Sequence, residues 1–194
     1  MFVNWQRREL NLKIVYYGPA LSGKTTNLEQ IYTRVDPRSR GELVSLKTQE
    51  DRTLYFDFLQ LELGKISGLT PKIHLYTVPG QTYYEVTRKI VLTGADGVVF
   101  VADSGADRLA DNLELWKNMK IHLTSLKVSL NNLPIVVQFN KQDLPNAISA
   151  PVLKNLLKVN GYPTFNSVAI HGEGVVDTFK AIVSSTIKSV KEEV

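Results

Sequence analysis

Gly18-Pro19-Ala20-Leu21-Ser22-Gly23-Lys24-Thr25 lies between an apolar, β-branched run, Leu12 to Tyr17, and an amphipathic stretch, Lys24 to Arg34. It matches G-x-x-x-x-G-K-[ST] in the strand-then-helix setting that the motif requires. The glycines let the backbone N–H groups of the loop, from Gly18 through Thr26 at the start of the helix, converge on a polyphosphate. Lys24 brings a point charge to the terminal phosphates, and the Thr25 hydroxyl suits the octahedral oxygen shell of Mg²⁺.

Outward from this loop, short apolar runs alternate with longer amphipathic stretches, the pattern of βα units on a mostly parallel sheet. Strands are expected at Leu12 to Tyr17, Thr53 to Leu59, Lys72 to Val78, Gly97 to Ala102, Leu133 to Phe139 and Thr164 to Val168. That gives about six strands with helices on both faces. Helices are expected at Lys24 to Arg34, Thr87 to Leu92, Arg108 to Leu126 and Ala150 to Val159, and from Val175 onward, where Val175, Phe179, Ile182, Val183 and Ile187 share one face. The fold class is three-layer α/β, with ligands expected beyond the carboxyl ends of the strands.

At 194 residues the chain has the size of one domain, 1–194, with 1–10 as a short N-terminal arm. Apolar residues make up 43% and charged residues 22%, the range of ordinary globular domains. The absence of cysteine removes disulfides, thiolate metal sites and cysteine-linked lipid anchors, and fits a reducing, cytoplasmic compartment. A formal charge of +4 without a basic stripe gives no nucleic-acid footprint. No apolar run approaches the roughly 18 residues of a membrane span, and Phe2 excludes N-terminal myristoylation, so no stable membrane anchor is expected.

The base is read elsewhere. Asn140-Lys141-Gln142-Asp143 follows an apolar strand about 115 residues after the phosphate loop. There the Asp143 carboxylate can accept from the ring N–H and the exocyclic amine of guanine, a donor pair that adenine lacks. A rival exists in Gly97-Val-Val-Phe-Val-Ala-Asp103, which has the apolar-run-then-Asp form of an ATPase magnesium strand. The guanine reading is preferred, because Asn140 to Asp143 have no job in an ATPase and no separate catalytic glutamate follows Asp103.

With both motifs in place, nearly the whole chain resembles the Ras-like small GTPases. Tyr16-Tyr17-Gly18-Pro19, Arg52-Thr53-Leu54-Tyr55-Phe56-Asp57-Phe58 and His74-Leu75-Tyr76-Thr77-Val78-Pro79-Gly80-Gln81 narrow the resemblance to the MglA group of bacterial polarity and gliding-motility switches. The resemblance implies a switch that binds GTP or GDP with Mg²⁺ and hydrolyses GTP slowly. It assigns Gln81 to orient the attacking water, Thr53 and Gly80 to close over Mg²⁺ and the γ-phosphate, and Arg52 to act as an intrinsic arginine finger brought in by a shift of the second strand. Without the resemblance, Arg52 also reads as a solvated strand-end charge, Gln81 as a helix cap and Thr53 as a residue of high β-propensity. The implied partners are a homodimeric Roadblock-type, MglB-like GTPase-activating protein and effectors of polarity or motility, with recruitment to cell poles or motility complexes.

Two departures from ordinary Ras-like proteins bear on rate. Thr77 stands where an acidic residue usually holds a magnesium-bound water, a substitution the MglA group shares. Ala20 stands where glycine is usual, placing a methyl group near the γ-phosphate. Both are expected to slow hydrolysis, and Ala20 keeps open a nucleotide-gated scaffold without useful turnover. On the guanine side, Val168-Ala169-Ile170 retains only the central Ala of the S-A-K element, so Ala169 would serve through its backbone N–H. The three histidines lack the spacing of a metal site.

Overall fold

A computed structural model describes residues 2–47, 53–81 and 84–193. One eight-stranded sheet carries the molecule. Its strands are β1 (Phe2–Asn4), β2 (Glu9–Tyr17), β3 (Val44–Lys47), β4 (Thr53–Glu62), β5 (Thr70–Thr77), β6 (Gly97–Asp103), β7 (Ile135–Asn140) and β8 (Thr164–Ser167). They lie in the order β3-β4-β5-β2-β6-β7-β8. β1 pairs antiparallel with Glu9 to Asn11, ahead of the stretch from Ile14 where β6 joins β2.

The helices are α1 (Lys24–Arg34), α2 (Glu85–Leu92), α3 (Leu109–Ser125), α4 (Ala150–Leu156) and α5 (Val175–Glu193). Period-two alternation along β2 sends Leu12, Ile14 and Tyr16 to one face, against Leu28 and Ile31 of α1 and Val175, Phe179, Ile182 and Val183 of α5. Val15 and Tyr17 go to the other face, against Val91 and Leu92 of α2, Leu115, Trp116 and Met119 of α3, and Leu153 of α4. β6 and β7 are buried along their whole length, as expected of central parallel strands covered on both sides.

The structure adds detail to the expected mostly parallel sheet with helices on both faces. The sheet has eight strands rather than about six. Within the N-terminal arm Phe2–Asn4 forms a strand of the sheet, and Val44–Lys47 is an edge strand; both are too short to show a periodicity. β4 runs antiparallel to its neighbours β3 and β5, which makes the sheet mixed at one edge. The expected α1 coincides with the observed helix. The third begins at Leu109 after a single 3₁₀ turn, Ala106–Arg108, and the fourth stops at Leu156.

Because β2, β6, β7 and β8 are parallel, their carboxyl ends lie together. The loops after them, with residues 18–24, 104–108, 140–143 and 168–174, form one cluster.

Candidate functional site

The phosphate loop runs from the end of β2 into α1. Gly23, the cap of α1, has φ +98°, and a Cβ there would come within 2.2 Å of Asn140 Nδ2. Glycine is therefore required both by the backbone and by the approach of the base-reading loop. Lys24 is buried and donates to the carbonyls of Gly18 at 3.0 Å and Pro19 at 2.6 Å. Burial lowers its ammonium pKa to about 7; Asp57 pulls upward, while the cations Arg88, Lys141 and Arg108 push the same way as burial. Ser22 is buried, Leu21 is exposed, and Thr26 lies in the first turn of α1.

Asn140 joins the two binding loops. Its Nδ2 donates to Ser22 O at 2.8 Å, and its Oδ1 accepts from Ala169 N at 2.9 Å. The Ala169 amide assigned to the guanine carbonyl is thus already engaged by Asn140. Val168 bonds across its turn with Glu173, and Gly172 and Gly174 shape that turn. Gln142 Nε2 donates to Ser104 Oγ at 2.6 Å, bracing the base-reading loop, while Asp143 is exposed.

Asp103, the acid of the rival ATPase reading, is buried and accepts from Lys141 Nζ at 2.6 Å. It therefore orients a residue of the base-reading loop, which is not the role that reading needs.

The acid missing at Thr77 is found one strand over. Asp57 of β4 is fully buried, and its Oδ2 accepts from the Thr25 hydroxyl at 2.5 Å and from the Thr77 hydroxyl at 2.7 Å. Its backbone N–H donates to Thr77 Oγ1 at 2.8 Å, and Ser45 of β3 donates to its other carboxylate oxygen. Residue 77 itself carries no carboxylate, but one stands beside Thr25, supplied by a different strand. Asp57 went unassigned in the sequence, although alternation with the inward-facing Leu59 and Leu61 marks it as an acid pointing inward. A hydroxyl and a carboxylate next to the phosphate loop form the hard-oxygen donor set that suits Mg²⁺, which keeps several waters and takes its remaining ligands from phosphates.

The segment after β5 lies on the phosphate loop. A Cβ on Gly80 would fall 2.1 Å from Ala20 N, so Gly80 must lack a side chain for this approach. The Gln81 carbonyl accepts from the buried Arg88 of α2. Beneath α2, His122 lies 3.2 Å from Glu85 and 3.4 Å from the Tyr17 hydroxyl. Arg52 lies outside the described residues, and Thr53 opens β4. Among the described residues no group of His, Asp and Glu could hold a metal by itself, and no helix is long and apolar enough to cross a membrane.

Comparison with known proteins gives one consistent answer. A family model described as the ADP-ribosylation factor family matches residues 1–186. The chain is 48% identical over 191 residues to the mutual gliding-motility protein MglA of Myxococcus xanthus, covering 98% of each chain. It is 29% identical over 171 residues to ADP-ribosylation factor-like protein 6 of Caenorhabditis elegans, covering 85% of this chain and 81% of that one. With Ras-related protein Rab-5B of Plasmodium falciparum it shares 24% identity over 136 residues, 70% of this chain and 63% of the other.

Proposed function

Because the chain belongs to the ADP-ribosylation factor family and is an MglA-type small GTPase, we propose that it is a GTP-dependent switch of gliding motility or cell polarity. It selects effectors by its nucleotide state. The observation that carries this reading is the Asn140 side chain, which bonds the phosphate loop at Ser22 and the guanine-side loop at Ala169 at once. Base recognition and phosphate recognition thereby share one rigid frame.

In this reading Gly18 to Thr26 wrap the phosphates, Lys24 neutralises their charge, and Asn140, Lys141 and Asp143 hold guanine, with the Val168–Ala169 turn tied to Asn140 through the Ala169 amide. Thr25 and Thr53 would hold Mg²⁺, which when bound would supply positive charge to the phosphates, and Asp57, hydrogen-bonded to Thr25, would orient water beside it. Gln81 positions the attacking water, and Arg52 meets the charge that develops in the transition state. Hydrolysis is slow until a homodimeric Roadblock-type partner favours the conformer in which Gln81 and Arg52 both reach the γ-phosphate. That requires the partner to bind the GTP-loaded conformer more tightly than the GDP-loaded one. The switch works in the cytoplasm, at cell poles or motility complexes.

Chromatography of the nucleotide released from denatured purified protein tests the class: GDP or GTP is expected, and an adenine nucleotide would overturn it. Single-turnover hydrolysis with and without the partner then tests the switch. Turnover that stays negligible in both would leave a nucleotide-gated scaffold.

A further inference from the structure

Leu21 occupies the left-handed region with φ +63°, the one non-glycine residue of the phosphate loop to do so. Glycine adopts this conformation freely, whereas a residue with a Cβ does so at a cost. Its own side chain does not compensate, since it is 59% exposed. Whatever holds the loop in this shape must therefore act on the backbone.

The neighbouring peptide has a partner from another element. Arg108, at the end of the 3₁₀ turn before α3, donates from Nη2 to Ala20 O at 3.0 Å. Its Nη1 pairs with Asp111 at 2.6 Å, and its Nε faces Asp103 at 3.9 Å. Asp103 is itself immobilised. Its carboxylate takes Gly105 N at 3.0 Å and Lys141 Nζ at 2.6 Å, and its backbone is clasped on both sides by the Asn112 amide at 3.0 and 2.7 Å. The planar guanidinium holds the Ala20 carbonyl and the Asp111 carboxylate on two nitrogens of one rigid fork, with the Asp103 carboxylate at ion-pair distance from the third, an arrangement that the point charge of an ammonium does not fix. In a trans peptide the C=O and N–H point in opposite directions, so fixing the Ala20 carbonyl on Arg108 turns the Leu21 N–H the other way.

We propose that Arg108, seated by Asp103 and Asp111, is the positioning residue of the phosphate loop: by holding the Ala20–Leu21 peptide it keeps Leu21 in the left-handed conformation. This rests on the reading of Gly18 to Thr26 as the phosphate site. Acting through the Ala20 carbonyl, Arg108 would serve GDP and GTP to the same degree.

The test is a thermodynamic cycle between Arg108→Ala and Leu21→Gly, read as the affinity of fluorescent GDP and GTP. Arg108→Ala is expected to weaken both nucleotides about tenfold in the wild-type chain, and less than about twofold in a chain that already carries Leu21→Gly, because glycine needs no help to stay left-handed. An equal loss in the two backgrounds, or no loss in either, overturns the proposal. Arg108→Lys, which keeps the charge and loses the fork, gives the same comparison if Arg108→Ala does not fold. Lys24→Ala separates the underlying reading: unchanged nucleotide affinity in that variant would remove the phosphate site itself. A loss there beside an intact Arg108→Ala variant would remove only the role of Arg108.

Discussion

The hydroxyl of Thr25 donates to the carboxylate of Asp57 at 2.5 Å, joining the first turn of α1 to a strand 32 residues further along the chain. A threonine from the phosphate loop and an aspartate from β4 thus bring a hydroxyl and a carboxylate together beside that loop.

Asp57→Asn is expected to raise the Mg²⁺ concentration needed to slow GDP dissociation by about 10–100-fold, the usual effect of losing a group that orients a metal's ligands. Adding Thr77→Asp returns a carboxylate next door, since Thr77 Oγ1 lies 2.7 Å from Asp57 Oδ2, and should recover part of the loss. Titration of GDP release against free Mg²⁺ checks both. An unchanged Mg²⁺ dependence in Asp57→Asn would remove the aspartate from the metal's surroundings.

Lys24 makes nucleotide binding sensitive to pH. Burial lowers its pKa to about 7 in the free protein, and phosphate charge must raise it on binding. Below about pH 7 the ammonium is already charged. Above it, binding takes up a proton, so affinity falls as pH rises, by about tenfold per unit until the bound-state pKa is reached. Calorimetry at pH 8 in buffers of different ionisation enthalpy should record uptake of about one proton per nucleotide. No uptake would mean that Lys24 is charged throughout.

Asp143→Asn should weaken GDP by roughly 10–100-fold, the loss of charge-assisted bonds to two base donors, and improve binding of xanthosine diphosphate. Competition between the two diphosphates measures the exchange of preference. Unaltered GDP affinity would move base recognition away from Asp143.

The packing of α5 on the sheet depends on Gly97. A Cβ there would lie 2.4 Å from Thr186 Oγ1 and 3.1 Å from Ile182 Cδ1. Gly97→Ala should destabilise the fold by about 1–3 kcal/mol through overpacking. Urea unfolding at a fixed nucleotide concentration checks this, since bound ligand would otherwise shift the midpoint.

Much of this molecule is legible in its sequence. The phosphate loop and the Asn140–Asp143 loop are contiguous in sequence, and each carries its chemistry within a few residues. β6, β7 and the inward face of α5 declare themselves by apolar runs and spacing. Asp57 and Arg108 differ because their roles come from register and loop proximity. Asp57 sits in an aromatic strand, and only the antiparallel alignment of β4 with β5 sets it against Thr77. Arg108 looks like the first residue of a helix, and its bond to Ala20 spans 88 residues. β1 and β3 are too short to carry a pattern, and they form because the neighbouring strands offer an edge.

The antiparallel pairing of β4 with β5 also sets a step size. Leu59 and Leu61 face the core on the same side as Asp57, with Leu59 opposite Leu75 and Leu61 opposite Ile73. Sliding β4 by one residue would turn this whole row outward and bring Phe58 and Gln60 in, so a one-residue slip is forbidden by burial. A two-residue slip keeps the alternation and moves the strand by about 7 Å. A change of register that kept Asp57, Leu59 and Leu61 buried would therefore have to come in two-residue steps. A strand held between β3 and β5 in this way would respond in steps rather than by a hinge.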